Sequence, residues 1–188
     1  LSNHTLSAIG QVAYPTFITA RKRNATAKPR WSVTLVYDQS ISLEAMKARV
    51  AECVLKEYPN GPPGGFRSPF RSGADKRRDD GSMPAGFKET DTFCEFWRYE
   101  EHGKVPLVDQ FRNELLPSDT YAGMTGRVSF NPFCYSTDGN KGVALGLEAF
   151  QKAADGTPVG AAPVDPQAVF DDIGEAPAPT PSVADIFK

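Results

Sequence analysis

Phe66-Arg67 and Phe70-Arg71 repeat four residues apart, and Lys76-Arg77-Arg78 follows them. Rings and cations interleave again further along, first as Phe93, Trp97, Arg98 and Tyr99. Tyr121, Arg127, Phe130, Phe133 and Tyr135 come next, with Lys141 after them. A cation neutralises a phosphate, and a flat ring stacks on an unpaired base for about 1–3 kcal/mol. A planar guanidinium can do both. Stacking tolerates any base, so this mixture suits a single nucleic-acid strand held without sequence readout. The candidate phosphate contacts are Arg67, Arg71, Lys76, Arg77, Arg78, Arg98, Arg127 and Lys141, and the candidate stacking rings are Phe70, Trp97, Phe133 and Tyr135.

Other chemistries lack their parts. Zinc needs clustered Cys, His or acid ligands. His4 and His102 have no partner at ligand spacing, and Glu100-Glu101-His102-Gly103 reads as a solvated turn. The Gly61–Gly65 stretch (GPPGG) is not followed by Gly-Lys-Ser/Thr, so it is no phosphate-cradling loop. No catalytic residue, metal or cofactor is expected. A metal-dependent DNA-processing enzyme would have to gather Asp79, Asp80 and Asp91.

Several elements must hold the rings in place. Residues 31–37 alternate as a strand, with Trp31, Val33, Leu35 and Tyr37 on the core face. Residues 9–20 read as an edge or bulged strand because of Pro15, and residues 1–8 as a frayed end. Leu43, Met46, Val50, Cys53 and Val54 make a helical stripe over 41–58, with Ser42 as N-cap and Tyr58-Pro59-Asn60-Gly61 as the stop. Strands follow at 91–99, 104–111, 120–136 and 141–150, with bends expected at Gly123, Gly126 and Pro132. On 91–99, Phe93, Glu95, Trp97 and Tyr99 share one face and Cys94, Phe96 and Arg98 the other; either could point inward. On 120–136, Phe130 goes to the core and Arg127 to the surface. Between helix and strand lies a long Gly/Pro/Arg-rich loop, 59–88, whose phenylalanines either stack on bases or plug the end of the fold. The sum is a mainly β fold. It is an OB-like five-stranded barrel with one helix and long loops, and a β-sandwich is the alternative.

The chain has 188 residues, 40% apolar and 23% charged, enough for one core without disulfides or metal. Its net charge of −2 hides an asymmetry. Residues 21–88 carry fourteen Lys/Arg against seven Asp/Glu, whereas 155–188 carry six acids against one lysine, together with six prolines. The expectation is a binding domain at 1–154 and a disordered Pro-rich acidic tail at 155–188, which competes with a polyanion for the basic surface. No apolar run approaches a membrane span. The first ten residues carry no export signal, so Cys53, Cys94 and Cys134 are expected as reduced cytoplasmic thiols.

The order of these pieces resembles a family of phage-encoded single-stranded DNA-binding proteins with an OB fold, formerly a domain of unknown function. The similarity is carried by RWSVTLVYD at 30–38, the helix at 41–58 and Pro69–Gly73. It continues through TYAGMTGRVSFNPFCYS at 120–136, Asn140–Leu147 and Phe170–Ile173, and spans about residues 9 to 173. The resemblance implies sequence-tolerant binding of single-stranded DNA during phage replication or recombination in the cytoplasm of an infected bacterium. It implies no catalysis and no cofactor. Phage or host replication proteins would be further partners through the acidic tail, although Asp185-Ile186-Phe187-Lys188 ends in a lysine where an acid is usual. The rival readings are a capsid-associated β-domain and, behind it, the metal-dependent enzyme. Oligomeric state is left open.

Overall fold

The computed structural model describes residues 4–137 and 139–160. Eight strands and one α-helix are found there: β1 (Thr5–Leu6), β2 (Gly10–Ala13), β3 (Arg30–Tyr37), α1 (Glu44–Glu57), β4 (Arg71–Ser72), β5 (Thr92–Tyr99), β6 (Leu107–Val108), β7 (Thr125–Thr137) and β8 (Asn140–Ala154). Five of the strands close a ring. β7 runs antiparallel to β2, β2 to β3 and β3 to β5; β5 lies parallel to β8, and β8 returns antiparallel to β7. β1, β4 and β6 add short pieces to β7, β5 and β8. The expected small closed β fold with one helix is thus observed. No helix among the described residues is long and apolar enough to cross a membrane.

Alternation decides what lies inside. Val33 pairs opposite Phe96, and Leu35 opposite Cys94, and all four are fully buried. Phe130, Val128, Leu145, Leu147 and Phe150 of the β7–β8 hairpin complete the interior with Met124. Trp31 and Tyr37 are core, as the strand pattern predicts. Burial of the Cys94 thiol pushes its pKa up. The hairpin is longer than the sequence pattern indicated, because β8 extends to Ala154. One of its two register shifts falls at Gly126, as expected, and the other between Ser129 and Phe130 rather than at Pro132. Ala153 and Glu148 of β8 have no partner in the register with β7, so the extra residues sit on β8.

The helix buries Leu43, Met46 and Val50 against the ring, and pairs Glu44 with Lys47 and Arg49 with Glu52 on its outer side. Its N-cap is Leu43, which has no side-chain cap, so the expected Ser42 cap is not formed. The Cys53 thiol donates to the Pro132 carbonyl at 3.4 Å and ties α1 to β7. Burial, and then the neighbouring Cys53, push the Cys134 thiol up to about 11.

Three segments are more ordered than their composition suggests. Thr5–Leu6 is no frayed end, since it pairs with Ser129 and Phe130 of β7 ahead of β2 on the same edge. The 59–88 loop is tied down repeatedly. The Arg67 N–H donates to Lys141 O at 2.8 Å, and Arg67 O accepts from Val143 N at 3.1 Å. Gly73 N donates to Asp91 O at 2.7 Å, and a Cβ on Gly73 would lie 1.9 Å from Lys88 O, so only glycine fits there. The loop thereby lies over the outer face of β2, β3 and β5 and encloses a second small cluster of Ala13, Val36, Phe87 and Phe93. Finally, Tyr121 Oη donates to Asp155 at 2.7 Å and Val159 N to Ala122 O at 2.8 Å. The first six residues of the expected tail therefore return to the ring. Residues 161–188, with the Phe170–Ile173 and Asp185–Lys188 segments, lie outside the described residues.

Candidate nucleic-acid interface

The outward side chains of β5, β8 and β7 form the floor and sides of an open groove of about 1190 Å³, walled on another side by residues 67–72. Cross-strand register explains its shape. Trp97 pairs opposite Gly146, Phe133 opposite Ala144 and Tyr135 opposite Gly142. The outward positions of β8 thus carry at most a methyl, between rings on both neighbours. A Cβ on Gly146 would meet the Phe133 ring at 3.6 Å, and one on Gly142 would meet Tyr135 Oη at 2.8 Å. A trough with a low floor and aromatic sides results.

The rings hold one another. Trp97 meets Phe133 edge-to-face with centroids 5.6 Å apart, and Tyr99 likewise at 5.0 Å. Such pairs contribute about 0.5–1.5 kcal/mol beyond their buried area and fix ring orientation. Arg30 lies over Trp97 with its guanidinium carbon 5.2 Å from the ring centroid, and it hydrogen-bonds and ion-pairs with Glu95. Arg30 is buried, and this desolvation lowers its pKa while Glu95 opposes the shift. Trp97 is therefore engaged by Arg30 on one face and by two neighbouring rings, whereas Phe133 is 36% exposed.

The structure brings Arg67, Phe70, Arg71, Trp97, Arg98, Phe133 and Tyr135 to the groove. Phe70 serves twice, because it also packs on the core, as does Phe66. Arg71 lies over Phe93 at 5.0 Å and pairs with Asp75 at 3.5 Å. Arg98 donates to the carbonyls of His102 and Glu148 and so braces the 100–103 turn.

The other candidates are placed elsewhere. Lys76 sits among the rings of Phe93, Tyr14 and Phe87, at 4.8, 5.3 and 5.6 Å, and burial lowers its pKa. Arg77 pairs with Glu89, and Arg78 donates to Ser82. Lys141 is exposed on the face of β8 opposite Tyr135, and its carbonyl holds Arg67. Arg127 is on the groove face of β7 but six residues from Phe133, about 20 Å along the strand. Asp79, Asp80 and Asp91 are not gathered. Asp80 accepts from Ser82, Asp91 from the Lys88 N–H, and no metal-holding cluster occurs among the described residues.

Arg30, Glu95, Tyr99 and the small residues of β8 were missed as site residues by sequence reasoning. Tyr99 and Glu95 did share a face with Trp97 in the strand pattern, and the alternating Gly142, Ala144 and Gly146 were a readable signal for a low strip.

The fold recurs in phage proteins. The single-stranded DNA-binding protein of bacteriophage Enc34 in complex with ssDNA matches with a TM-score of 0.64 at 16% identity, over 84% of this chain and 89% of that one. A second structure of the Enc34 protein gives 0.62 at 17% identity, over 89% and 90%. Gp2.5, a single-stranded DNA-binding protein encoded by bacteriophage T7, gives 0.61 at 16% identity, over 87% and 96%. No curated protein matches. The fold is thus one used by phage ssDNA-binding proteins. The family model of the Enterobacter phage Enc34 ssDNA-binding protein matches residues 8–178, and the chain belongs to that family. The expected family is borne out.

The Arg30–Glu95 pair yields a double-mutant test. Arg30→Met should destabilise by roughly 1–3 kcal/mol, because it leaves the part-buried Glu95 without its arginine. Adding Glu95→Gln should recover much of that loss. Urea unfolding of the two single variants and the double one measures it, and purely additive losses would mean that the pair is not coupled.

Proposed function

We propose that this chain binds single-stranded DNA with little sequence preference and covers it during phage DNA replication and recombination. It acts as a binding protein rather than an enzyme, in the cytoplasm of the infected host. The observation that carries this reading is the trough itself. Trp97 and Phe133 meet edge-to-face over Gly146, Tyr135 and Ala144 continue the groove beside them, and Arg67 and Arg71 stand along its wall. An unpaired strand fits because its bases can stack on the exposed Phe133 ring while its phosphates face the guanidinium groups. A duplex offers no free base faces to the rings. Membership of a family defined by a phage ssDNA-binding protein supports the same reading.

Within it, Phe133 and Tyr135 are the principal stacking rings. Arg67 is the principal phosphate contact, with its backbone fixed on β8 and its side chain in no carboxylate pair among the described residues. Trp97 stacks from a braced position. The binding domain is 1–154. The acidic stretch from 155, whose first residues dock back on the ring through Asp155 and Val159, is its tail, opposing DNA through like charge and available to phage or host replication proteins.

Fluorescence titration of Trp97 with oligo-dT, oligo-rU and duplex tests the reading. The single strand should quench and the duplex should not. The log–log salt slope should be near −0.7 per phosphate neutralised, and Arg67→Ala should reduce its magnitude by about that unit. Phe133→Ala should weaken oligo-dT binding roughly tenfold or more. Equal response to duplex, or no response to any strand, would sink the assignment. For the tail, a chain ending at Gly160 keeps the contacts of Asp155 and Val159 and should bind oligo-dT more tightly than the full chain at low salt. Unchanged or weaker binding would remove the competing role.

A further inference from the structure

The most exposed large apolar side chain among the described residues is Phe111, at 72%, and it is not on a loose loop. It occupies the turn after β6, which Asp109 organises. The Asp109 carboxylate accepts from Phe111 N and Asn113 N at 2.8 Å each and from Asn113 Nδ2 at 3.0 Å. Asp109 N donates to Asn113 O at 2.9 Å, and Arg112 closes the turn at φ +70. A non-glycine residue in that region is uncommon and persists where its surroundings hold it. The Asn113 amide, and then the turn's own N–H groups, hold the Asp109 carboxyl below the usual carboxylate range. The turn thus fixes an exposed ring next to an exposed arginine.

A third group is connected to it. Arg127 Nε donates to Gln151 Oε1 at 3.0 Å, and Gln151 Nε2 donates to Asp109 O at 3.1 Å. One side-chain amide therefore links the Arg127 guanidinium to the base of the Phe111 turn. Neither Arg112 nor Arg127 forms an ion pair among the described residues, whereas Lys28, Arg30, Lys47, Arg49, Arg71, Arg77 and Lys152 all do.

Register places Arg127 and Gln151, the inner end of this cluster, on the groove's own face, and Gln151 holds the Phe111 turn beside them. Arg127, Ser129, Asn131, Phe133 and Tyr135 are successive outward positions of β7, and the extra residues of the hairpin lie on β8, so that face is continuous. Between the two ends, Glu148 is turned to Ser129 Oγ at 2.6 Å and to His4 at 3.3 Å. The path on β7 is about 20 Å. It would be covered by at most about six nucleotides at the ~3.4 Å stacked rise.

We propose that Phe111, Arg112 and Arg127 form a second station for the same single strand, which leaves the groove at Phe133 and follows β7 to a stacked base on Phe111. This rests on the groove reading and extends it. A strand is the occupant because ring and unpaired guanidinium groups repeat the chemistry of the groove and lie on an unbroken continuation of its surface. Strand length distinguishes the two stations. The full chain and its Phe111→Ala/Arg112→Gln variant would be titrated with oligo-dT of about four nucleotides, too short at that rise to reach from Phe133 to the turn, and of about 25. Both substituted side chains are exposed, and glutamine leaves the Arg112 backbone as it is. The wild type should bind the longer strand more tightly. The variant should lose roughly tenfold on the long strand and have a salt slope smaller by about 0.7, with short-strand affinity unchanged. Unchanged binding of the long strand would overturn the second station and leave the surface for a protein partner. Equal loss on both lengths would also overturn it. If the wild type binds no strand while folded, the groove reading fails and this one with it. If Phe133→Ala weakens binding and the turn variant does not, only the second station fails.

Discussion

The two-edged pairing of β8, parallel to β5 and antiparallel to β7, determines where every ring of the groove stands. It closes the strands into a ring, so the interior must be filled, and Val33, Phe96, Phe130 and Leu145 fill it with 0–1% exposure. Truncating one such side chain costs about 2–5 kcal/mol. A one-residue slip would exchange the two faces of a strand. The core therefore enforces the register, and the register sets Trp97 across the floor from Phe133 and Tyr135. The outer face is shaped by what the inner face cannot give up. On β8 the outward positions in the groove are Ala144 and Gly146, which keep it open, whereas Gly142 is small because the Arg67 backbone lies against it.

Charge on this protein has two uses. Arg30 braces Trp97, Lys76 fills a box of three rings beneath the loop, and Arg98 holds a turn by its carbonyls. Their fields still favour a polyanion nearby, but their geometry is committed to the protein. Arg67, Arg112 and Arg127 have no carboxylate partner among the described residues and can exchange counterions for phosphates. The basic character of residues 21–88 therefore overstates how many direct contacts that segment offers. Part of it holds the loop that walls the groove.

Much of the architecture was legible because period-two alternation and one helical stripe are local signals. β3, α1 and β5 emerged within a few residues, and the core face of Trp31, Val33, Leu35 and Tyr37 was read correctly. Pairing between strands is not local, and the differences come from there. Phe93 and Trp97 share a face, yet Phe93 is buried because the loop covers that end of β5, while Trp97 opens to the groove. Thr5–Leu6 gained order from β7, more than a hundred residues away. Arg77 could not be told from Arg67 by type or neighbours; only the fold brings Glu89 to one and leaves the other beside Gly142. Ring and cation spacing marked β5 and β7, whose outward side chains line the groove. Which rings face it depended on partners that the spacing does not encode.

The central claim is that unpaired bases stack in the groove on its Phe133–Tyr135 side, where Trp97 braces Phe133. Photo-crosslinking of an oligonucleotide containing 5-iodouracil, followed by mass spectrometry of the adducts, tests it most directly. The account predicts adducts at Phe133 and Tyr135, suppressed by excess unlabelled oligo-dT. Adducts confined to α1, none of whose residues lines the groove, would contradict it.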